Sequence, residues 1–118
     1  MIDYILVHGG NMSTEAWNRH TVGEHVHTAD GKMGGRIWTP LIPGIEAQGG
    51  RSWTPTLLDE RDCHLADHVD QISDVIMAND LNDVVLAGHS YGGMVITGAA
   101  ARHPDRVRGC LLYTSRCV

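Results

Sequence analysis

Short apolar runs alternate along this chain with stretches of helical periodicity. Tyr4-Ile5-Leu6-Val7 and Val84-Val85-Leu86-Ala87 are continuously apolar, as strands buried on both faces of a parallel sheet are. With two weaker runs they give four predicted strands, at about 3–8, 51–55, 83–89 and 107–113. The clearest helix spans 64–79, where Leu65, Val69, Ile72 and Ile76 share one face and Asp67, Asp70, Gln71 and Asp74 lie elsewhere. Ser13 suits the N-cap of a helix near 13–20, with Glu15 in its first turn. Thr39-Pro40 would cap and begin another near 40–48, which Pro43-Gly44 weakens and Gly49-Gly50 would close. A fourth helix is expected over 91–102. Residues 21–35, with Gly31, Gly34 and Gly35, read as a loop insertion. The alternation predicts an α/β fold, a doubly wound, mostly parallel sheet.

The third apolar run leads into Gly88-His89-Ser90-Tyr91-Gly92 and then Gly93-Met94-Val95-Ile96. G-x-S-x-G is weak alone, but between a strand and a helix it has the context of a nucleophile elbow. Such a turn strains the backbone of Ser90 and lifts its hydroxyl above the sheet, and glycines at 88 and 92 let backbone pass close by. The first strand ends in His8-Gly9-Gly10. In elbow chemistry one oxyanion donor is the N–H after the nucleophile, here Tyr91, and the other comes from the loop after an earlier strand, here Gly10.

On Ile5-Leu6-Val7-His8-Gly9-Gly10, Thr54-Pro55-Thr56-Leu57, Val85 through Val95, and the helix exit His103-Pro104-Asp105-Arg106-Val107, the chain resembles the α/β-hydrolase family over residues 1 to about 109. The closest likeness is to small esterase-like members. The resemblance implies a serine hydrolase acting on a carboxylic ester or related small acyl substrate. Ser90 would be its nucleophile and the Gly10 and Tyr91 amides its oxyanion hole, with no metal or organic cofactor needed. It also implies the strand order 2-1-3-4, which puts Gly10 and Ser90 at the crevice where the winding reverses. A non-catalytic member binding a small apolar ligand in that crevice is the alternative.

The family places an acid and then a histidine after the serine, but only 28 residues follow Ser90. His103 and Asp105 flank Pro104 in the loop leaving the helix, at the sheet edge opposite the site, so the triad acid and base are expected to be absent from this chain. The last nine residues give a reason. Cys110 through Ser115 is the translation of a transposon-end sequencing adapter, TGT CTC TTA TAC ACA TCT. The adapter's reverse complement continues AGA TGT GTA TAA, which encodes Arg116-Cys117-Val118 and a stop. Residues 1–109 are therefore expected to be the N-terminal part of one hydrolase domain, and 110–118 a non-native tail. A genuine strand is the competing reading, since Val107 to Tyr113 is apolar and β-prone.

Composition changes little in this picture. The chain is 42% hydrophobic, with 14 Gly and 4 Pro, an ordinary globular profile. A net charge of −5 argues against a nucleic-acid or anionic-membrane partner. The apolar opening is too short for a signal peptide or a membrane span. With only Cys63 outside the suspect tail, a cytoplasmic location is expected.

His64 and His68, four residues apart beside Cys63 and Asp67, could suit zinc, but Leu65 stands where a metalloprotease motif has Glu. A solvated helix face is expected for them. His20, His25 and His27 are read as exposed loop residues, and His8 and His89 as packing or hydrogen-bonding groups beneath the site. Trp17, Trp38 and Trp53 are expected in the core before a substrate pocket.

Overall fold

The computed structural model describes residues 1–10, 13–20, 25–59 and 61–113, with the backbone alone at Tyr113. Four strands form one sheet: β1 (Asp3–Val7), β2 (Arg51–Trp53), β3 (Val84–His89) and β4 (Val107–Tyr113). Their order is β2-β1-β3-β4, as the family resemblance implies, and every pairing is parallel. Register runs from Asp3 opposite Arg51 and Val84 to Val7 opposite Gly88. The strand ends carrying His8 and Ser90 therefore lie side by side.

Helices α1 (Thr14–His20), α2 (Ile42–Ala47), α3 (Leu65–Ala78) and α4 (Tyr91–Arg102) connect the strands. Residue alternation divides the strands between two cores. Ile5, Val7, Val84 and Leu86 face α3 and α4, where they meet Val69, Ile72, Ile76, Val95, Ile96 and Ala99. Leu6 and Ala87 face the other way, against Trp38, Ile37 and Ile45. Full burial of each large aliphatic side chain contributes about 1.5–3 kcal/mol, so the two-sided covering holds the sheet.

Local signals account for most helix ends. The Ser13 hydroxyl accepts the Ala16 N–H at 3.1 Å, the N-cap bond expected of it. Gly49 takes φ +81°, and the amides of Gly49 and Gly50 return to the carbonyls of Glu46 and Ile45 at 2.9 and 3.0 Å, closing α2 as a glycine C-cap does.

The start of this helical region differs from expectation. Helical backbone begins in a 3₁₀ segment, Gly34–Leu41, that runs straight into α2 and has Thr39 and Pro40 inside it. The cause is tertiary. Gly34 (φ +56°) and Gly35 lie against the chain that follows β2, where a Cβ on Gly35 would come within 2.1 Å of the Thr54 carbonyl oxygen. The Gly35 amide donates to the Thr56 hydroxyl at 3.0 Å. The loop insertion therefore ends before Gly34; its residues 21–24 lie outside the described residues. Strand β2 also stops earlier than expected, ahead of Pro55, which has no N–H to give a ladder.

The two sheet edges differ. At β2, the buried Asp3 carboxylate accepts the Arg51 Nε–H at 2.6 Å and the Trp53 indole N–H at 3.0 Å, and the Arg51 guanidinium sits 5.2 Å from the Trp53 ring centre. At the other edge, β4 pairs on one side among the described residues and leaves Leu111 49% and Leu112 64% exposed.

Burial raises the pKa of Asp3, but the hydrogen bonds from Arg51 and Trp53 and the Arg51 charge outweigh it and hold the carboxyl below its ordinary value. Because the folded pKa is depressed, the stabilisation is present above the unfolded pKa of about 4 and is lost as pH falls through the folded value. Asp3→Asn should lower stability at neutral pH by about 1–3 kcal/mol. It should also flatten the acid limb below about pH 4; urea titrations at several pH values check both.

Candidate active site

The sequence around Ser90 folds as a sharp strand-to-helix turn. Ser90 has φ 56°, ψ −120°, occupies the N-cap position of α4 and is exposed. This backbone conformation costs a non-glycine residue about 1–3 kcal/mol, so its surroundings must hold it. Glycines do so by admitting close backbone contacts. A Cβ on Gly88 would lie 2.5 Å from the Gly92 carbonyl oxygen, and one on Gly92 would lie 2.3 Å from the Val7 carbonyl oxygen. The first turn of α4 therefore rests directly on the ends of β1 and β3. The Gly93 amide closes the turn on the Ser90 carbonyl at 2.9 Å.

The loop after β1 meets this turn. A Cβ on Gly9 would come within 2.6 Å of the His89 carbonyl oxygen and 2.9 Å of the Ser90 Cβ. Gly10, the next residue, is exposed, with nothing within 4 Å of a Cβ built there. Tyr91, as the first residue of α4, presents its N–H beyond the helix's own bonding ladder, at the positive end of the helix dipole. The three residues selected from the sequence, Gly10, Ser90 and Tyr91, thus belong to one junction of β1, β3 and α4.

A wall stands beside the junction, formed by Thr56–Leu58 between β2 and α3. Among the described residues no strand ladder pairs this segment, and side chains hold its backbone. The Leu57 amide donates to His8 Nε2 at 2.9 Å, so His8 carries its hydrogen on Nδ1 and gives it to the Gly9 carbonyl at 2.8 Å. Gln71 accepts the Leu58 amide and donates to the Thr56 carbonyl, at 2.9 and 2.8 Å. His68 Nε2 donates to the Leu58 carbonyl at 2.9 Å. Beside the wall opens a cavity of about 180 Å³ whose lining includes His8, Gly9, Leu57, His68 and Tyr91 but neither Ser90 nor Gly10.

Thr56, Leu58 and the charged residues Asp30, Lys32, Asp59 and Arg61 complete its lining. Arg61 grips Asp59 through its side chain and its amide, and these bonds pull the Asp59 carboxyl down to about 2. Asp30 is lowered by the Lys32 amide and then by the Thr28 hydroxyl. Both carboxylates are therefore ionised at neutral pH and poorly suited to take up a proton there.

His68 departs from expectation. It is 1% exposed, with Nδ1 2.7 Å from the Tyr91 hydroxyl, and does not lie on a solvated face. Helical spacing sets His68 beside Ile72 rather than beside Asp67 and Asp70, and its hydrogen bond to the Leu58 carbonyl holds it against the wall. His64 remains exposed at the start of α3, where its N–H is accepted by Asp67 at 2.8 Å. Among the described residues no group of three His, Cys, Asp or Glu could hold a metal ion. Burial, with the carboxylates of Asp67, Asp62 and Asp59, raises the Cys63 thiol, which makes it a poor nucleophile.

His103 and Asp105 lie at the opposite end of α4, as the topology predicts. His103 Nε2 bonds the Ser73 hydroxyl on α3, and the twelve-residue α4 puts roughly 18 Å between that end and Ser90. Trp38 is in the second core and Trp53 packs on the first; neither lines the cavity, nor do His20, His25, His27 or Trp17.

Comparison with known proteins identifies the family. The sequence profile of the Alpha/beta hydrolase family matches residues 4–116. The chain belongs to that family. It is 36% identical over 113 residues to a carbendazim hydrolyzing esterase of Nocardioides sp. (strain SG-4G), covering 96% of this chain and 41% of that protein. It is 32% identical over 106 residues to the (E)-2-((N-methylformamido)methylene)succinate hydrolase of Acinetobacter baylyi, covering 88% of this chain and 34% of the relative. The hydrolase chain therefore spans about two fifths or less of the length of these relatives. Among solved structures, an extracellular alpha/beta-hydrolase from a Paenibacillus species superposes over the whole chain and 43% of its own, with TM-score 0.71 and 19% identity. Polyneuridine aldehyde esterase superposes over 95% of this chain and 39% of its own, with TM-score 0.68 and 22% identity. These last two similarities speak for the fold.

The glycine contacts make a sharp contrast testable. Gly92→Ala should cost about 1–3 kcal/mol, because its methyl meets main chain that cannot step aside. Gly10→Ala, facing open space, should stay within about 0.5 kcal/mol of the parent. Thermal unfolding of both variants checks the pair.

Proposed function

We propose that this chain is the N-terminal part of a serine hydrolase that cleaves a carboxylic ester or a related small acyl substrate. The observation carrying the proposal is Ser90 itself: an exposed hydroxyl at φ 56° between strand and helix, braced by Gly88 and Gly92. In this reading Ser90 attacks the acyl carbon and the amides of Gly10 and Tyr91 bind the oxyanion, each donor worth roughly 3–4 kcal/mol in comparable sites. Membership of a hydrolase family with esterase relatives supports it.

The general base and its orienting acid would come from residues that follow residue 109 in the complete protein. His8 and His68 are both engaged in holding the wall, and His103 lies at the far end of α4. Alone, the 118-residue chain would leave Ser90 as an unactivated alcohol. Residues 110–118 are proposed to be adapter-derived, although Cys110–Tyr113 serves as strand in β4, since an apolar peptide of either origin can extend a ladder.

In a protein expressed from the complete gene, a fluorophosphonate should label Ser90, and Ser90→Ala should abolish labelling and lower ester turnover by roughly 10⁶-fold. The 118-residue chain should show no turnover above its own Ser90→Ala control. Labelling that survives the substitution overturns the assignment.

Amplification of the gene from source DNA through codon 109 should reveal a native continuation with an acid and, after it, a histidine. A native reading frame that encodes the same nonapeptide and stop would refute the adapter origin. A continuation lacking those two residues would favour a ligand-binding member.

A further inference from the structure

We infer that His68 is a positioning residue that ties the wall of the crevice to the turn carrying Ser90. The inference rests on the proposed use of the Tyr91 amide as an oxyanion donor. His68 is 1% exposed, and a ring with two polar atoms is stable there only if both are engaged. Nε2 must donate to the Leu58 carbonyl, which can only accept, at 2.9 Å. In the neutral ring Nδ1 is then the acceptor for the Tyr91 hydroxyl at 2.7 Å. The two rings meet edge to face, centres 5.5 Å apart and planes at 81°.

The consequence lies at Ser90. A residue at φ 56° keeps that conformation only while its neighbours hold it. Gly88 and Gly92 do so from the main-chain side. From the other side, the Tyr91 phenol is anchored at its far end by His68, which limits rotation of the Tyr91 side chain and so fixes the peptide unit between Ser90 and Tyr91. The same imidazole fixes Leu58 of the wall, so crevice and elbow share one support on α3.

The two ring nitrogens serve different segments, and this makes their roles separable. Asparagine places a polar atom near the Nδ1 position and glutamine near the Nε2 position. In NMR spectra of the isotopically labelled 118-residue chain, His68→Gln should shift the Ser90 and Tyr91 backbone resonances and leave the Leu58 carbonyl in place. His68→Asn should do the reverse. Tyr91→Phe, which keeps the ring, should shift the His68 Nδ1 resonance and leave Nε2 bearing its proton, a measurement independent of how well the His68 variants fold. Ser90 and Tyr91 resonances unmoved in His68→Gln, or Nδ1 unmoved in Tyr91→Phe, would overturn the inference. Fluorophosphonate labelling of the protein expressed from the complete gene separates it from the proposed function: a labelled Ser90 there, with unmoved resonances in the variants, defeats the positioning role alone, and the expected shifts without labelling of that complete protein defeat the nucleophile assignment alone.

Discussion

The closeness of main chain to main chain at Gly92 and Val7 is the constraint on which the site depends. A helix that ordinarily packs on a sheet through side chains is set down here directly on the strand ends, with no room for a methyl group between. That approach forces the sharp turn at Ser90 and brings the loop of Gly9 and Gly10 beside it. Burial of Val95, Ile96 and Ala99 beneath the same helix supplies the apolar energy that keeps it seated against the strained turn.

Much of this was legible in the sequence because it rests on local signals. Continuous apolar runs mark the central strands, the glycine spacing around Ser90 marks the elbow, and the Ser13 and Gly49 caps set helix ends by bonds within a few residues. The order of the strands came from family likeness, and the parallel register agrees with it. The 3₁₀ start at Gly34 was not legible, because the partner that stabilises it, Thr54–Thr56, is some twenty residues away and leaves no periodic trace.

His68 was misread for a related reason. Its neighbours Asp67 and Asp70 are polar, yet His68 stands three residues after Leu65 and four before Ile72, at the flank of the apolar face of α3 rather than on theirs. What buries it is the Thr56–Leu58 segment, which carries no helix or strand signature and owes its course to hydrogen bonds from His8, Gln71 and His68 themselves. The available clue was chemical: a segment that must be walled off from water, without a ladder to satisfy its amides, needs long polar side chains reaching from its neighbours. Gln71 and His68, three apart on one helix, have that form.

The unequal sheet edges bear on how the molecule behaves in company. Strand β2 is three residues long and its outer residue Arg51 is held by Asp3, features that discourage a foreign strand from joining. Strand β4 is seven residues long, and among the described residues its outer side offers a row of backbone donors and acceptors beside Leu111 and Leu112. A long edge with apolar side chains is a template for β-addition. Among the described residues, the edge able to accept a further strand is therefore β4 and not β2.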